Sequence, residues 1–104
     1  MQDGPGSNPE ELLGAAHAGC FSMAFAFALE SAGHPAEVVN TSAKVHFEQK
    51  DGGFAITLIE LDTKVKVAGI GDADFQRIAQ EAKAGCPVSK ALTGVEIRLV
   101  ANRA

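Results

Sequence analysis

A chain of 104 residues has room for one domain and not for two, and it can close a single core without metal or disulfide staples. Its 46% hydrophobic and 21% charged composition excludes wholesale disorder, while 13 acidic against 9 scattered basic residues, a formal net charge of -4, exclude a phosphate-tracking nucleic-acid face. Two cysteines, Cys20 and Cys86, are too few for a disulfide-dense secreted scaffold or a structural zinc site, which points to a reducing, cytoplasmic compartment.

Residues 1–7, MQDGPGS, are punctuated by Gly and Pro and predict a flexible lead-in. Asn8 then offers an N-cap, Pro9 suits the first helical position, and Glu11 completes a capping-box arrangement. Glu10 and Glu11 also complement the helix dipole. The helix is expected to run to about Ser31 and to stop at Gly33 in the left-handed capping conformation, with Pro35 closing it off. Within it, the eighteen residues from Leu12 through Leu29 carry no formal charge. They would span about 27 Å, close to the length of a membrane crossing. The acidic residues ahead of them (Asp3, Glu10, Glu11) contradict the basic leader of a signal peptide, and neither flank offers the Lys or Arg of a membrane span. His17, Ser22 and the many Ala and Gly lower the hydrophobicity further. A helix buried on all sides inside a globular domain, with no membrane partner, accounts for the stretch better.

From Glu37 the apolar period becomes two. Val39, Thr41, Ala43, Val45 and Phe47 are expected on one face, with Asn40, Ser42, Lys44, His46 and Glu48 on the other. Asp51-Gly52-Gly53 is a hairpin signal, and the return strand begins at Phe54. Its apolar set moves from Ile56 and Leu58 to Ile59, Leu61, Thr63, Val65 and Val67, a change of parity that predicts a β-bulge or a strand that shifts from one packing environment to another. Gly69 and Gly71 end the strand. Asp72 is expected to cap a second helix carrying Phe75, Ile78, Ala79 and Ala82 on one face and ending at Gly85. Cys86-Pro87-Val88-Ser89-Lys90-Ala91-Leu92 predicts a short helix with Cys86 at its cap and Pro87 at its first position. Val95, Ile97 and Leu99 form a last half-buried strand. The order α-β-β-α-α-β predicts an α+β domain, an antiparallel sheet packed on a long central helix.

The cysteines stand 66 residues apart in two different settings. Cys86 begins a helix, where unpaired N–H groups favour a thiolate. Cys20 lies mid-helix among Ala18, Gly19, Ser22 and Ala24, small residues that let a backbone or a substrate come close. It is about 18 Å along the axis from the N-terminus, beyond the reach of the dipole. Pattern alone favours reading both as buried small hydrophobes. A metal site would have to recruit His17, which shares a helical face with Cys20, and the soft ligands would still number too few. His34 and His46 are expected in solvent.

Asn8 to Ala24, NPEELLGAAHAGCFSMA, and Ala82 to Leu92, AKAGCPVSKAL, resemble the two signature cysteine segments of the OsmC/Ohr family, the osmotically inducible protein C and organic hydroperoxide resistance proteins. The segments are in the family's order, with a hairpin between them. The HAGCFSM wording at 17–23 is closer to the OsmC branch. The resemblance implies an intertwined dimer and a thiol-dependent peroxidase that reduces organic hydroperoxides to alcohols, with no cofactor or metal. It makes Cys20 the peroxidatic thiol and Cys86 the resolving thiol. A sulfenic acid on Cys20 would condense with Cys86 to an intramolecular disulfide, which an external dithiol such as a lipoylated protein would reduce. Phe21, Met23, Phe25 and Phe27 would suit a lipid or aryl hydroperoxide.

The family adds a Glu and an Arg beside the reactive thiolate, and Glu10 holds the motif's Glu position. On one straight helix Glu10 and Cys20 lie about 15 Å apart and about 80° around, so Glu10 must reach a partner chain's cysteine unless the helix breaks. The family's interface active sites imply the first. Without the resemblance, Glu10 reads as a first-turn carboxylate that complements the dipole. The family Arg comes from a β segment upstream of Asn8, where this sequence has no Arg, and Arg77, Arg98 and Arg103 do not match its position. The expectation is therefore a single OsmC-like domain over 1–104 without those strands. The competing reading is a truncated, non-catalytic dimeric domain with a binding or structural role.

Overall fold

The computed structural model describes residues 9–50 and 52–104. Its elements are α1 (Pro9–Ser31), β1 (Val38–Lys50), β2 (Gly53–Lys66), α2 (Asp72–Gly85), α3 (Pro87–Ala91) and β3 (Glu96–Arg103), in the expected order. The expected lead-in at 1–7 and the cap at Asn8 lie outside the described residues.

Helix α1 begins at Pro9, with Glu10 and Glu11 in its first turn, and runs unbroken to Ser31. It ends where Gly33 takes a φ of 87°, a conformation that costs a residue with a Cβ. There the Gly33 N–H donates to the Glu30 carbonyl (3.0 Å) and the His34 N–H to the Leu29 carbonyl (2.9 Å), the paired bonds of a Schellman stop. One face of α1 is buried through Gly14, His17, Ala18, Phe21, Phe25 and Leu29. The opposite face is not: Leu12 is 57%, Met23 76% and Phe27 72% exposed. The expectation of a helix buried on all sides is thus corrected, because the sheet and α2 cover only one side of a helix that is apolar all round. By length and composition alone α1 could cross a membrane.

The sheet has the order β1-β2-β3. β1 and β2 pair antiparallel, from Val38↔Lys66 to Lys50↔Gly53. β3 joins β2 in parallel, from Leu58↔Glu96 to Val65↔Arg103, so the expected antiparallel pairing holds for the hairpin alone. The reason is the crossover through α2 and α3, which returns the chain to the starting end of β2. Between His46↔Leu58 and Phe47↔Ile56 the register shifts and Thr57 is left without a partner. This bulge produces the parity change, bringing Ile56 and Ile59 to one face. Val39, Thr41, Ala43 and Val45 face inward as expected, whereas Phe47, beyond the bulge, is 46% exposed.

Phe21, Phe25 and Phe75 form the centre of the core, with ring centroids 5.4 and 5.3 Å apart in tilted pairs. Leu29, Ile59, Leu61, Val65, Ile78 and Ala79 close around them. At Gly14 the helix comes close to β1, since a Cβ there would stand 3.3 Å from Val45 Cγ2 and 3.5 Å from the Ala43 carbonyl oxygen. A hydroxyl ladder also fixes α1 on the sheet: Ser22 donates to Thr41 (2.7 Å) and Thr41 to Thr63 (2.9 Å). Helix α2 is held over β3 by Gln76 and Lys83, whose side chains donate to the Ala101 and Ile97 carbonyls. Its N-cap is Gly71 rather than the expected Asp72, because the Gly71 carbonyl accepts the first helical bond, from the Phe75 N–H at 2.9 Å. Asp72 instead belongs to the first turn, where its charge complements the dipole.

Replacing Gly33 by Ala is expected to destabilise the fold by about 1 kcal/mol in urea unfolding, with Asn losing less, because the stop requires positive φ. Equal unfolding midpoints for Gly33→Ala and the parent would contradict it.

Candidate active site

The chain breaks its helix at Cys86. The Cys86 N–H still donates to the Ala82 carbonyl (2.9 Å), but Pro87 has no N–H to continue α2, and Cys86 takes extended angles (φ -65°, ψ 124°). Cys86 thereby ends α2 and stands at the N-cap of α3. Its sulfur is turned onto α1, where Cys20 Sγ lies 3.1 Å away. Both are free thiols, Cys20 half-buried and Cys86 fully buried.

A second contact runs beside the first. His17 precedes Cys20 by one helical turn and Ser89 follows Cys86 by three positions, and His17 Nε2 meets Ser89 Oγ at 2.8 Å. Both side chains are buried. Two rungs, one of thiols and one of imidazole and hydroxyl, therefore join α1 to α3. His17 spends its ring nitrogen on Ser89, and among the described residues no group of three His, Cys, Asp or Glu side chains is placed to hold a metal ion.

The two thiols differ in acidity. Burial raises the Cys20 thiol above its ordinary value, and sharing a proton with Cys86 raises it further; the nearby Val88 N–H offsets this only in part. Burial also pushes Cys86 upward, but four hydrogen-bonding influences together outweigh it: Cys20, the Ser89 N–H, the Ser89 hydroxyl and the Val88 N–H. Cys86 is left below its ordinary value. The N–H groups form no short capping bond to the side chain, and they act on the sulfur as dipoles at the start of α3. Burial lowers His17, which is therefore neutral at physiological pH.

Glu10 is not brought to the thiols. It lies in the first turn of the same unbroken helix, about 15 Å along the axis from Cys20. Its Oε2 is buried and has no hydrogen-bond partner among the described residues. The three arginines are engaged elsewhere: Arg77 with Asp74 and Glu81, Arg98 with Glu96, and Arg103 with the Ile70 carbonyl. A shallow depression at the hairpin end, between Val45–Glu48 and Thr57, Leu58 and Glu96, contains neither cysteine. Sequence reasoning missed Ser89. The available signal was its position three residues after a helix-capping cysteine, matched by His17 three residues before the other.

Several known proteins resemble this chain in sequence or fold. The profile of the OsmC-like protein family matches residues 2–100. The peroxiredoxin OsmC of Escherichia coli (strain K12) is 53% identical over 87 residues, covering 84% of this chain and 61% of that protein. An organic hydroperoxide resistance protein of Xanthomonas axonopodis pv. citri is 36% identical over 93 residues, covering 88% of this chain and 63% of the relative. The chain thus spans less than two thirds of the length of these curated relatives. Among solved structures, an organic hydroperoxide resistance protein from Elizabethkingia anophelis superposes with a TM-score of 0.82 at 29% identity, over 94% of this chain and 69% of that one. One from Bacillus subtilis gives 0.80 at 27% identity, over 96% and 72%.

The unequal sharing of protons has a direct readout, because the chain contains no Trp or Tyr to mask the ultraviolet absorbance of a thiolate. The pair is expected to titrate in two steps, the first below the ordinary thiol value of about 8.5 and the second above it. Cys86→Ser is expected to abolish the lower step. A single step with both thiols present would contradict the coupling.

Proposed function

The chain belongs to the OsmC-like protein family, and from that premise we propose that it is a thiol peroxidase that reduces organic hydroperoxides to alcohols. The observation that carries the reading is the Cys20–Cys86 pair, two free sulfurs 3.1 Å apart of which only one is accessible. A disulfide requires about 2.05 Å, so the pair is within about 1 Å of bonding. The names of the relatives, peroxiredoxin and organic hydroperoxide resistance protein, support the reaction class.

Accessibility supports an attacking role for Cys20 and a resolving role for Cys86. Peroxide can reach half-buried Cys20 and cannot reach buried Cys86. The Cys20 thiolate attacks the terminal oxygen of the hydroperoxide, the O–O bond breaks, and the alkoxide leaves and takes a proton to become the alcohol. The oxygen stays on Cys20 as sulfenic acid. The Cys86 sulfur then attacks the Cys20 sulfur, the S–S bond forms as S–O breaks, and hydroxide leaves to become water. An external dithiol, such as that of a lipoylated protein, restores both thiols by exchange. A reducing, cytoplasmic setting suits that cycle.

The exposed side of α1 near Cys20 supports an apolar substrate. Phe21 and Phe25, expected beside the substrate, are fully buried in the core. Met23 and Phe27, on the exposed face of α1, remain to receive a lipid or aryl group or a second chain. A homodimer through that face is supported by Leu12, Met23 and Phe27, apolar side chains exposed along one helix. It is supported too by Glu10, whose Oε2 has no partner among the described residues; this carboxylate cannot reach Cys20 in its own chain and would meet the partner's site.

The second reading, a non-catalytic dimeric domain with a binding or structural role, is favoured by two observations. Cys20 is raised rather than lowered, and no Arg among the described residues reaches it. One equivalent of cumene hydroperoxide separates the two. The peroxidase is expected to lose both free thiols and to gain a Cys20–Cys86 disulfide by mass spectrometry, with Cys20→Ser inert. Two thiols that stay reduced would establish the non-catalytic domain. Because attack needs the Cys20 thiolate and its thiol is held above the ordinary value, the rate of peroxide consumption is expected to rise about tenfold per pH unit from neutrality toward that value. A rate independent of pH would contradict the raised thiol. For the dimer, Phe27→Glu is expected to shift the sedimenting species from dimer to monomer, and an unchanged mass would exclude this face.

A further inference from the structure

His17 is fully buried, conserves no charge at physiological pH, and has no part in the peroxide step just described, yet it makes a 2.8 Å hydrogen bond to Ser89. Its other ring nitrogen, Nδ1, is buried with no partner among the described residues. A buried N–H left without an acceptor is rarer than a buried acceptor left without a donor. The ring proton therefore belongs on Nε2, which donates to Ser89 Oγ. The serine hydroxyl, its oxygen already accepting, keeps its own hydrogen free for another acceptor.

The position of Ser89 on α3 indicates that acceptor. Cys86 is the N-cap and Pro87 the first helical residue, so Ser89 stands at the third position, whose side chain comes back toward the cap as in a capping box. Ser89 stands three positions after Cys86, and its hydroxyl favours the ionised form of that sulfur. Cys20 Sγ is 3.1 Å from that sulfur on the other side. Among the described residues, the titratable groups facing Cys86 are Cys20, in contact with it, and His17, through Ser89, both on α1.

We propose that Ser89 is a catalytic residue of the resolving step and His17 its positioning residue: the imidazole N–H orients the serine hydroxyl, which donates to Cys86 and holds it as the thiolate that attacks Cys20. The chemical step rests on the peroxidase reading. In it the Cys86 thiolate forms the S–S bond, the Cys20 S–O bond breaks, and the hydroxide released becomes water with a solvent proton. As negative charge leaves Cys86, the Ser89 hydroxyl loses its acceptor, so no proton passes to His17. Sulfenic acid is open to further oxidation by peroxide, and a preformed thiolate on the buried partner shortens that exposure.

Two measurements test this separately. In a Cys20→Ser background, Cys86 is the lone thiol, and its ionisation can be followed by thiolate absorbance without peroxide. Ser89→Ala is expected to reduce the thiolate fraction near neutral pH about tenfold, the effect of losing a hydrogen bond to a charged group. His17→Leu should have the same direction, and His17→Gln, which keeps an amide N–H near the place of Nε2, should restore the parent curve. A Ser89→Ala curve that overlays its parent overturns the proposal, as does a His17→Gln curve as displaced as that of His17→Leu. With both cysteines present, one equivalent of cumene hydroperoxide and dimedone should trap Cys20 sulfenic acid in Ser89→Ala and not in Ser89→Thr. The Cys86→Ser variant is the control. If it too yields no adduct, the peroxidase reading fails while the titration still decides the hydrogen-bond chain; if it yields adduct and Ser89→Ala yields none, the role of Ser89 in resolution is wrong.

Discussion

Pro87 cannot donate the backbone bond that would carry α2 past Cys86, and the arrangement of the thiols depends on that break. A continuous helix would leave Cys86 helical, with the N–H groups of Val88 and Ser89 committed to the ladder. The break instead makes one residue both the end of α2 and the start of α3. It turns the Cys86 sulfur onto α1 and exposes it to the unpaired N–H groups of a helix start. The contact with Cys20 and the greater acidity of Cys86 thus have the same cause. The pairing of His17 with Ser89 also follows, since Ser89 faces α1 only because α3 begins at the break.

Acidity and accessibility run in opposite directions at this pair. The sulfur that ionises more readily is the one solvent does not reach, and the sulfur open to solvent keeps its proton more tightly. In a symmetric dithiol either sulfur could begin the chemistry. Here burial leaves only Cys20 open to solvent, and the hydrogen-bond donors gather around Cys86. What would lower Cys20 in turn is a cation or donor on its exposed side, the side from which a second chain would approach.

The one-sidedness of α1 gives that approach a physical basis. The sheet and α2 occupy the face of Phe21, Phe25 and Leu29, and Gly14 and the Ser22–Thr41–Thr63 hydroxyls fix how deeply the helix sits. Leu12, Met23 and Phe27 are left on the outside. Such a stripe is costly in water and favourable when covered. The buried carboxylate oxygen of Glu10 near the start of the same helix adds a polar requirement at one end of the apolar stripe.

Most of the local structure was legible in the residues themselves. Pro9 with two acidic residues marked the start of α1 and Gly33 its stop; the period of two marked β1; a change of parity marked the bulge at Thr57; Cys86-Pro87 marked the break. Each of these is set by backbone sterics or by hydrogen bonds between near neighbours, which sequence spacing reports directly. The family wording around Cys20 and Cys86 named the pair before any distance was known. Three features were decided only by tertiary structure. The parallel joining of β3 depends on which end of β2 the crossover returns to. The face of α1 that stays uncovered depends on where the sheet lies, since the helix is apolar in every direction. Ser89, 72 positions from His17, becomes a partner only when α3 docks on α1. A hydrogen bond between groups so far apart in the chain leaves no periodic trace in the sequence, because it depends on how two elements pack and not on how either one folds.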